Sequence, residues 1–247
     1  MKLIVQAADL GYSEAVNHGI LKSVKDGIIN NVSLMVNMPK ANHGYNLLRK
    51  TNACIGLHVN ISVGEPVSDI TQIPSLIDGK KFKPSSTHRN SKEDFIVLKE
   101  AIYEVENQFH LFQSKFNKKP EYIDFHAVFS QNFIQAVRIV SEENNIPFIG
   151  MNLDGIPIDV NEQRIRTHVS SLEDSKKIFD WFKNIVNNKK DELIDLFIFH
   201  PGYIDLDLVE SSSLIQQRIF DISFLTDLEL IEYIKSKEIS LTKFNEL

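Results

Sequence analysis

A single cysteine, Cys54, stands among the 247 residues. With no second thiol there is no intramolecular disulfide, and a secreted disulfide scaffold is excluded. Long hydrophobic runs are also scarce. No stretch approaches the roughly 20 apolar residues of a membrane span. The first segment lacks the basic start and long apolar run of a signal peptide. The expected setting is a reducing cytoplasm with no membrane partner. Positive charge is in deficit: 27 Lys and Arg face 33 Asp and Glu, for a formal net charge of −6. That gives no electrostatic reason to expect nucleic acid as a partner. Neither G-x-G-x-x-G nor G-x-x-x-x-G-K-[ST] occurs, so the common nucleotide-binding readings lack their phosphate loops.

What is present is an ordinary globular composition, 43% hydrophobic and 24% charged. The length suits one α/β domain over residues 1–247. Strand and helix signals alternate. Leu3–Ala8, Val32–Val36, Cys54–Ile61, Tyr122–Val128, Pro147–Met151, Arg164–Val169 and Ile194–Phe199 read as strands, and Ile239–Thr242 as a closing one. Between them, helical spacing follows Ser13 and covers Asn42–Arg49, Phe133–Asn144, Leu172–Val186, Leu214–Phe220 and Leu225–Ser236. The longest helix opens near Ser91, with Asp94 three positions on and an apolar stripe from Phe95 to Phe116. Residues 63–90 carry Gly64, Pro66, Pro74, Gly79 and Pro84 and read as a long loop with a short hairpin. About seven or eight strands alternating with helices imply a parallel sheet, open or closed into a barrel.

Four residues share one topological position. Asp9 follows the first strand, His58 and His126 lie late in theirs, and His200 follows Ile194–Phe199. In parallel sheets and barrels such strand ends converge on one face. Two imidazoles and a carboxylate can hold a divalent ion and leave positions open for water and substrate. That chemistry points to hydrolysis, although the same set suits non-haem iron. Taken singly, each has a structural reading: an Asp after a strand caps turns, and a strand His is often a core residue. His168, near another strand end, is a further pocket candidate.

The motifs weigh the balance. The chain reads Ala7-Ala8-Asp9-Leu10-Gly11-Tyr12-Ser13, then Gly56-Leu57-His58-Val59-Asn60, Gly64-Glu65-Pro66, Ser75-Leu76 through Phe82, Ile123-Asp124-Phe125-His126 and His200-Pro201-Gly202. In this order they resemble the YdjC-like carbohydrate deacetylases, which include chitooligosaccharide deacetylases. The resemblance implies a distorted (β/α) barrel and metal-dependent hydrolysis of an N-acetyl group from an amino sugar or short oligosaccharide. It implies Asp9, His58 and His126 as metal ligands, with Mg²⁺ or Zn²⁺ the leading ions. It implies His200 as the acid that protonates the leaving amine. Asn60, Arg218 and Tyr203 are the matching substrate contacts. A homo-oligomer stays open.

The chain departs from that pattern at Ala8, where the family has the Asp expected to act as general base. Val128 and Ser130 stand where the family has further histidines. Either the chain is catalytically weakened, by nature or by an engineered change, or another carboxylate is the base. Asp124 is the leading substitute, because it shares a strand face with His126. Its competing role is to orient a ligand imidazole. Three functions therefore compete: a sugar deacetylase, a non-catalytic carbohydrate-binding or regulatory protein, and a different metal-dependent barrel enzyme.

Overall fold

Nine residues, Lys2–Leu10, form a central strand, β1, in which only Lys2 is exposed. A strand buried on both faces belongs to a parallel sheet covered by helices. The computed structural model, which describes residues 1–189 and 192–247, has that arrangement. After β1 come α1 (Glu14–Lys25), β2 (Asn31–Leu34), α2 (Ala41–Leu48), β3 (Cys54–Val59), a hairpin of β4 (Ile77–Asp78) and β5 (Lys81–Phe82), then α3 (Ser85–Asn90) and α4 (Leu98–Phe116). The rest is β6 (Ile123–Phe125), α5 (Gln131–Glu143), β7 (Ile158–Val160), β8 (Gln163–Val169), α6 (Ser175–Asn188), β9 (Ile194–Phe199), α7 (Leu206–Ser211), α8 (Gln216–Leu225), α9 (Leu228–Ser236) and β10 (Ser240–Leu241).

The main sheet runs β6-β3-β2-β1-β9-β8-β7, and β10 adds to β1 through Lys2 and Leu3. All its pairs are parallel except β7 with β8. The sheet curls into a half-barrel, the expected distorted barrel left open between β6 and β7. Side chains alternate across it. Leu3, Val5 and Ala7 join the large cluster beneath the helices, with Leu57, Val59, Phe197 and Phe199. Ile4 and Ala8 face inward with Tyr122, Ile165, Leu196 and Ile198. Each fully buried Leu, Ile or Phe in these clusters stabilises the fold by about 1.5–3 kcal/mol.

Two expectations need correction. Pro147–Met151 is not a strand: only Phe148 bridges to Ile123. Pro147 has no N–H to extend the ladder. The long helix begins at Leu98, not near Ser91. Asp94 instead accepts bonds from Ser130 Oγ and from Asn132 N, at the start of α5. The antiparallel strand β7 and the short helix α7 were not anticipated, because each is too brief to show a period.

Candidate metal centre and active site

Asp9 reaches the pocket through an irregularity. The β1–β2 register shifts between Ala7 and Leu10, and Asp9 has φ 70°. This left-handed conformation is one that Asp tolerates better than most residues. The bulge re-aims one side chain. As a result the consecutive residues Ala8 and Asp9 both line one pocket, where a regular strand would turn them to opposite faces. His58 lies at the end of β3, and His126 directly follows β6. His126 is succeeded by Ala127 at φ 54°. All three therefore sit at the carboxyl ends of parallel strands, β6 and β3 adjacent and β1 separated from β3 by β2.

They meet. Asp9 Oδ1 lies 2.9 Å from His126 Nδ1 and 3.5 Å from His58 Nε2. Yet that oxygen is buried without an aligned hydrogen bond. One ligand atom from each residue lies within 4.8 Å of the others. The opposite sides of two of these groups are engaged. Asp9 Oδ2 accepts from Arg218 Nη2 at 2.7 Å. His58 Nδ1 donates to Asp124 Oδ1 at 2.7 Å. A convergent set with an unsatisfied buried oxygen, and with outer atoms held by partners, fits a divalent cation.

The electrostatics agree. Burial opposes charge on His58, but the Asp124 carboxylate and bonds to Asp124 and Asp9 raise its pKa to about 10. Burial likewise opposes ionisation of Asp9, while the charges of His126 and Arg218 hold it well below the usual carboxylate range. The pocket floor thus favours a positive charge between two carboxylates.

Asp124 is itself tied down. Its Oδ2 accepts from Gln6 Nε2 at 2.5 Å and from Ser33 Oγ at 2.7 Å. Ser33 Oγ also meets Tyr122 Oη at 2.9 Å. Position 56 must be glycine for this layer to close, since a Cβ there would stand 2.5 Å from the Tyr122 ring. Both Asp124 oxygens are occupied, a geometry that serves orientation of His58 better than proton transfer from water.

His200 follows β9 and is half-buried at the pocket wall. Its backbone N–H donates to Asp221 Oδ2 at 2.8 Å, and Gln217 Nε2 donates to Asp221 Oδ1 at 2.8 Å. Burial lowers the His200 pKa to about 4, against the pull of Asp9 and with Arg218 adding to the effect. The imidazole is therefore neutral near pH 7. Burial also raises Asp221, to about 6. One helix, α8, supplies Arg218 to Asp9 and Asp221 to His200.

Two expected substrate contacts lie elsewhere. Asn60 is fully buried. Its Nδ2 donates to Asn37 Oδ1 and Val63 O, and its Oδ1 accepts from Ser62 N and Val63 N. With its amide committed to this turn, Asn60 does not line the pocket. Tyr203 is 41% exposed and also off the pocket. Its N–H donates to Ala15 O, because the Pro201-Gly202 turn packs against α1. A Cβ on Gly19 would come within 2.6 Å of Gly202 Cα. Arg218 does line the pocket, with its guanidinium turned to Asp9. His168 points to the outer face, where Nε2 donates to Asp195 Oδ1 at 2.7 Å. The pocket, about 290 Å³, also takes in Tyr12, Arg89, Phe129, Leu153 and Ser211–Ser213. Of these only Tyr12 lies in a recognisable motif.

A family model described as YdjC-like protein matches residues 2–236. The chain belongs to the YdjC-like family. Within it, a carbohydrate deacetylase of Brevibacillus brevis is 30% identical, over 100% of both chains. A carbohydrate deacetylase of Clostridium beijerinckii is 28% identical, again over 100% of both. The half-barrel is similar to a crystal structure from Enterococcus faecalis of a protein proposed to act in cellobiose-phosphate cleavage. That match has a TM-score of 0.83 at 21% identity and covers 98% of this chain and 97% of the other. At that sequence distance the match shows a shared fold. Among the described residues no helix is long and apolar enough to cross a membrane.

Proposed function

We propose that this chain is a metal-dependent hydrolase that removes an N-acetyl group from an amino sugar or short oligosaccharide. The observation that carries the reading is the unsatisfied, buried Asp9 Oδ1 between His58 Nε2 and His126 Nδ1 at the end of a pocket. Asp9, His58 and His126 would hold the cation, Mg²⁺ or Zn²⁺ being suited to such a set. When bound it supplies Lewis acidity toward the amide carbonyl and toward water. Arg218 keeps Asp9 ionised and fixes which oxygen faces the site. Asp124 fixes the tautomer and the ring plane of His58. His200, neutral at rest, would take up the proton lost by the attacking water and hand it to the departing amine nitrogen. Phe129 and Leu153 at the wall would offer the sugar an apolar surface. Homologues named as carbohydrate deacetylases support the substrate class. Metal content by elemental analysis, with acetate release from N-acetylated mono- and disaccharides under several added metals, tests the proposal. Stoichiometric metal with acetate release is expected. A protein that binds no divalent ion overturns it.

A second reading has one observation in its favour. Ala8 is 1% exposed, lines the pocket beside Asp9, and has no proton acceptor. A protein that binds metal and sugar but turns over slowly, acting as a carbohydrate-binding or regulatory protein, follows from that residue. Sugar binding without acetate release would favour it.

A further inference from the structure

Asp9 holds a backbone conformation that few residues adopt. Its φ of 70° lies in the left-handed region, which costs free energy and persists only where the surroundings over-determine it. The segment that follows, Leu10 to Tyr12, leaves β1 where its register with β2 shifts. Two bonds that hold this turn are made by backbone alone. Tyr12 N donates to Asp9 O at 3.1 Å, and Met35 N donates to Leu10 O at 2.8 Å. Another depends on a side chain: Gly11 N donates to Asn17 Oδ1 at 2.6 Å.

Asn17 sits one turn into α1 and is fully buried. Helical side chains lean toward the amino terminus of their helix, so its amide reaches back to the turn. Its nitrogen is engaged as well. Nδ2 donates to Lys40 O at 3.1 Å and meets His43 Nδ1 at 3.1 Å. With an N–H at Oδ1 and a carbonyl at Nδ2, only one orientation of the amide satisfies its partners. The fit is close. Gly11 has φ 98°, and a Cβ on Gly44 would stand 2.8 Å from Asn17 Oδ1. The exit of β1, α1 and the start of α2 therefore close around one buried amide.

Asp9 is held from two directions. Arg218 Nη2 binds its Oδ2 at 2.7 Å, and the same guanidinium lies over the Tyr12 ring at 5.4 Å. That contact fixes the side chain. Asn17 fixes the main chain, one bond away at Gly11. Oδ1 is then left facing His58 Nε2 and His126 Nδ1. Asn17 itself does not line the pocket, so any effect it has there passes through the turn. Metal sites tolerate departures of only about 0.2 Å from ideal ligand distances. A relaxed turn would therefore lose affinity with all three ligands still present.

We propose that Asn17 is a positioning residue for Asp9: its Oδ1 fixes the turn at Gly11, so that Asp9 Oδ1 points between His58 and His126. The inference rests on the metal-dependent hydrolase reading only for the use to which that oxygen is put.

Calorimetric titration of the full chain with Zn²⁺, paired with urea unfolding in the absence of metal, tests this. Asn17→Ala should weaken Zn²⁺ binding about 10- to 100-fold, the range for groups that orient a ligand from behind. Asn17→Asp keeps an acceptor for Gly11 N and loses both donors. It should bind Zn²⁺ within about threefold of the unaltered protein, even with its stability lowered. His43→Ala cuts the α2 arm of the same amide and should change Zn²⁺ affinity less than about twofold. A residue that only docked α1 on α2 would lower stability in all these variants and leave metal affinity alone. Asn17→Ser carries the comparison should Asn17→Ala not fold. In urea, the double variant of Asn17→Ala and Arg218→Met should lose less stability than the sum of the single losses, because a released turn lets Asp9 rotate toward water once its guanidinium is gone. Asn17 and Arg218 share no hydrogen bond, so this coupling has to pass through residues 9–12. Unchanged Zn²⁺ affinity in Asn17→Ala, no recovery in Asn17→Asp, or additive losses in urea overturn the proposal. An unaltered protein that binds no divalent ion removes the hydrolase reading instead, and the metal-free unfolding cycle then decides the role of Asn17 alone.

Discussion

Arg218 Nη2 donates to Asp9 Oδ2 at 2.7 Å across a sequence separation of 209 residues, and both side chains are 1% exposed. The guanidinium is also the largest side chain buried in the protein among the described residues, packed over the Tyr12 ring at 5.4 Å. This pair joins the first strand to a helix near the other end of the chain, and it presents Asp9 Oδ1 to the two imidazoles. Removing one partner of a buried pair leaves an uncompensated charge, at a cost of about 3–5 kcal/mol. Arg218→Met should therefore lower unfolding stability by about that amount and weaken divalent-ion binding as well. Urea unfolding and a metal titration read the two effects. Unchanged stability would remove the pair from its structural role.

Asp124→Asn should preserve the fold and weaken metal binding about 10- to 100-fold, because the hydrogen bond that aims His58 Nε2 is degraded. If metal affinity holds while turnover vanishes, Asp124 is the base and the orienting role is wrong.

Ala8→Asp supplies a carboxylate at the residue next to Asp9. A positioned base contributes about 10²–10⁴-fold. Acetate release should rise substantially, with little change in sugar affinity. No gain would point to a base elsewhere, or to a protein that only binds.

His200→Ala should lower kcat about 10²–10⁴-fold and leave metal content intact. Loss of the metal in this variant would instead make His200 a ligand.

Asp195 gives a pH dependence remote from the pocket. It is fully buried on the outer face of β9. Burial works against its ionisation, but bonds from His168 and Lys189 lower its pKa to about 2. The unfolded value is about 3.9. The stabilisation, about 2–3 kcal/mol, is present above about pH 4 and fades as pH falls toward 2. The stability gap between the protein and Asp195→Asn, measured by urea unfolding, should therefore narrow between pH 5 and pH 2. A gap constant over that range would refute the assignment.

The strand alternation was legible because apolar segments such as Ile194–Phe199 carry the signal of a doubly covered sheet. Asp9, His58, His126 and His200 were legible because parallel strands deliver their ends to one face. Other features leave no periodic trace. The bulge that turns Ala8 and Asp9 the same way depends on one φ angle. Asn60 stands two residues from His58, yet its turn consumes its amide. Tyr203 follows His200 closely, but the contact between Gly19 and Gly202 carries it away from the pocket. Phe129 reads as one more apolar residue near a helix start. Its exposure follows from the turn at Ala127 and the stitching through Asp94.

The pairing of β1 sets a timetable for the polypeptide as it leaves the ribosome. Leu3 has Asp195 on one side and Leu241 on the other. β2 soon covers one edge of β1, but at translation speeds of about 5–20 residues per second, β9 emerges roughly 10–40 s after Leu3. Through that interval an apolar strand waits with one edge bare, a template for unwanted pairing. Arg218 arrives later still, so Asp9 is among the first residues made and among the last to be secured. Expression yield should therefore respond to chaperones that shelter the amino-terminal segment and to slower synthesis before β9.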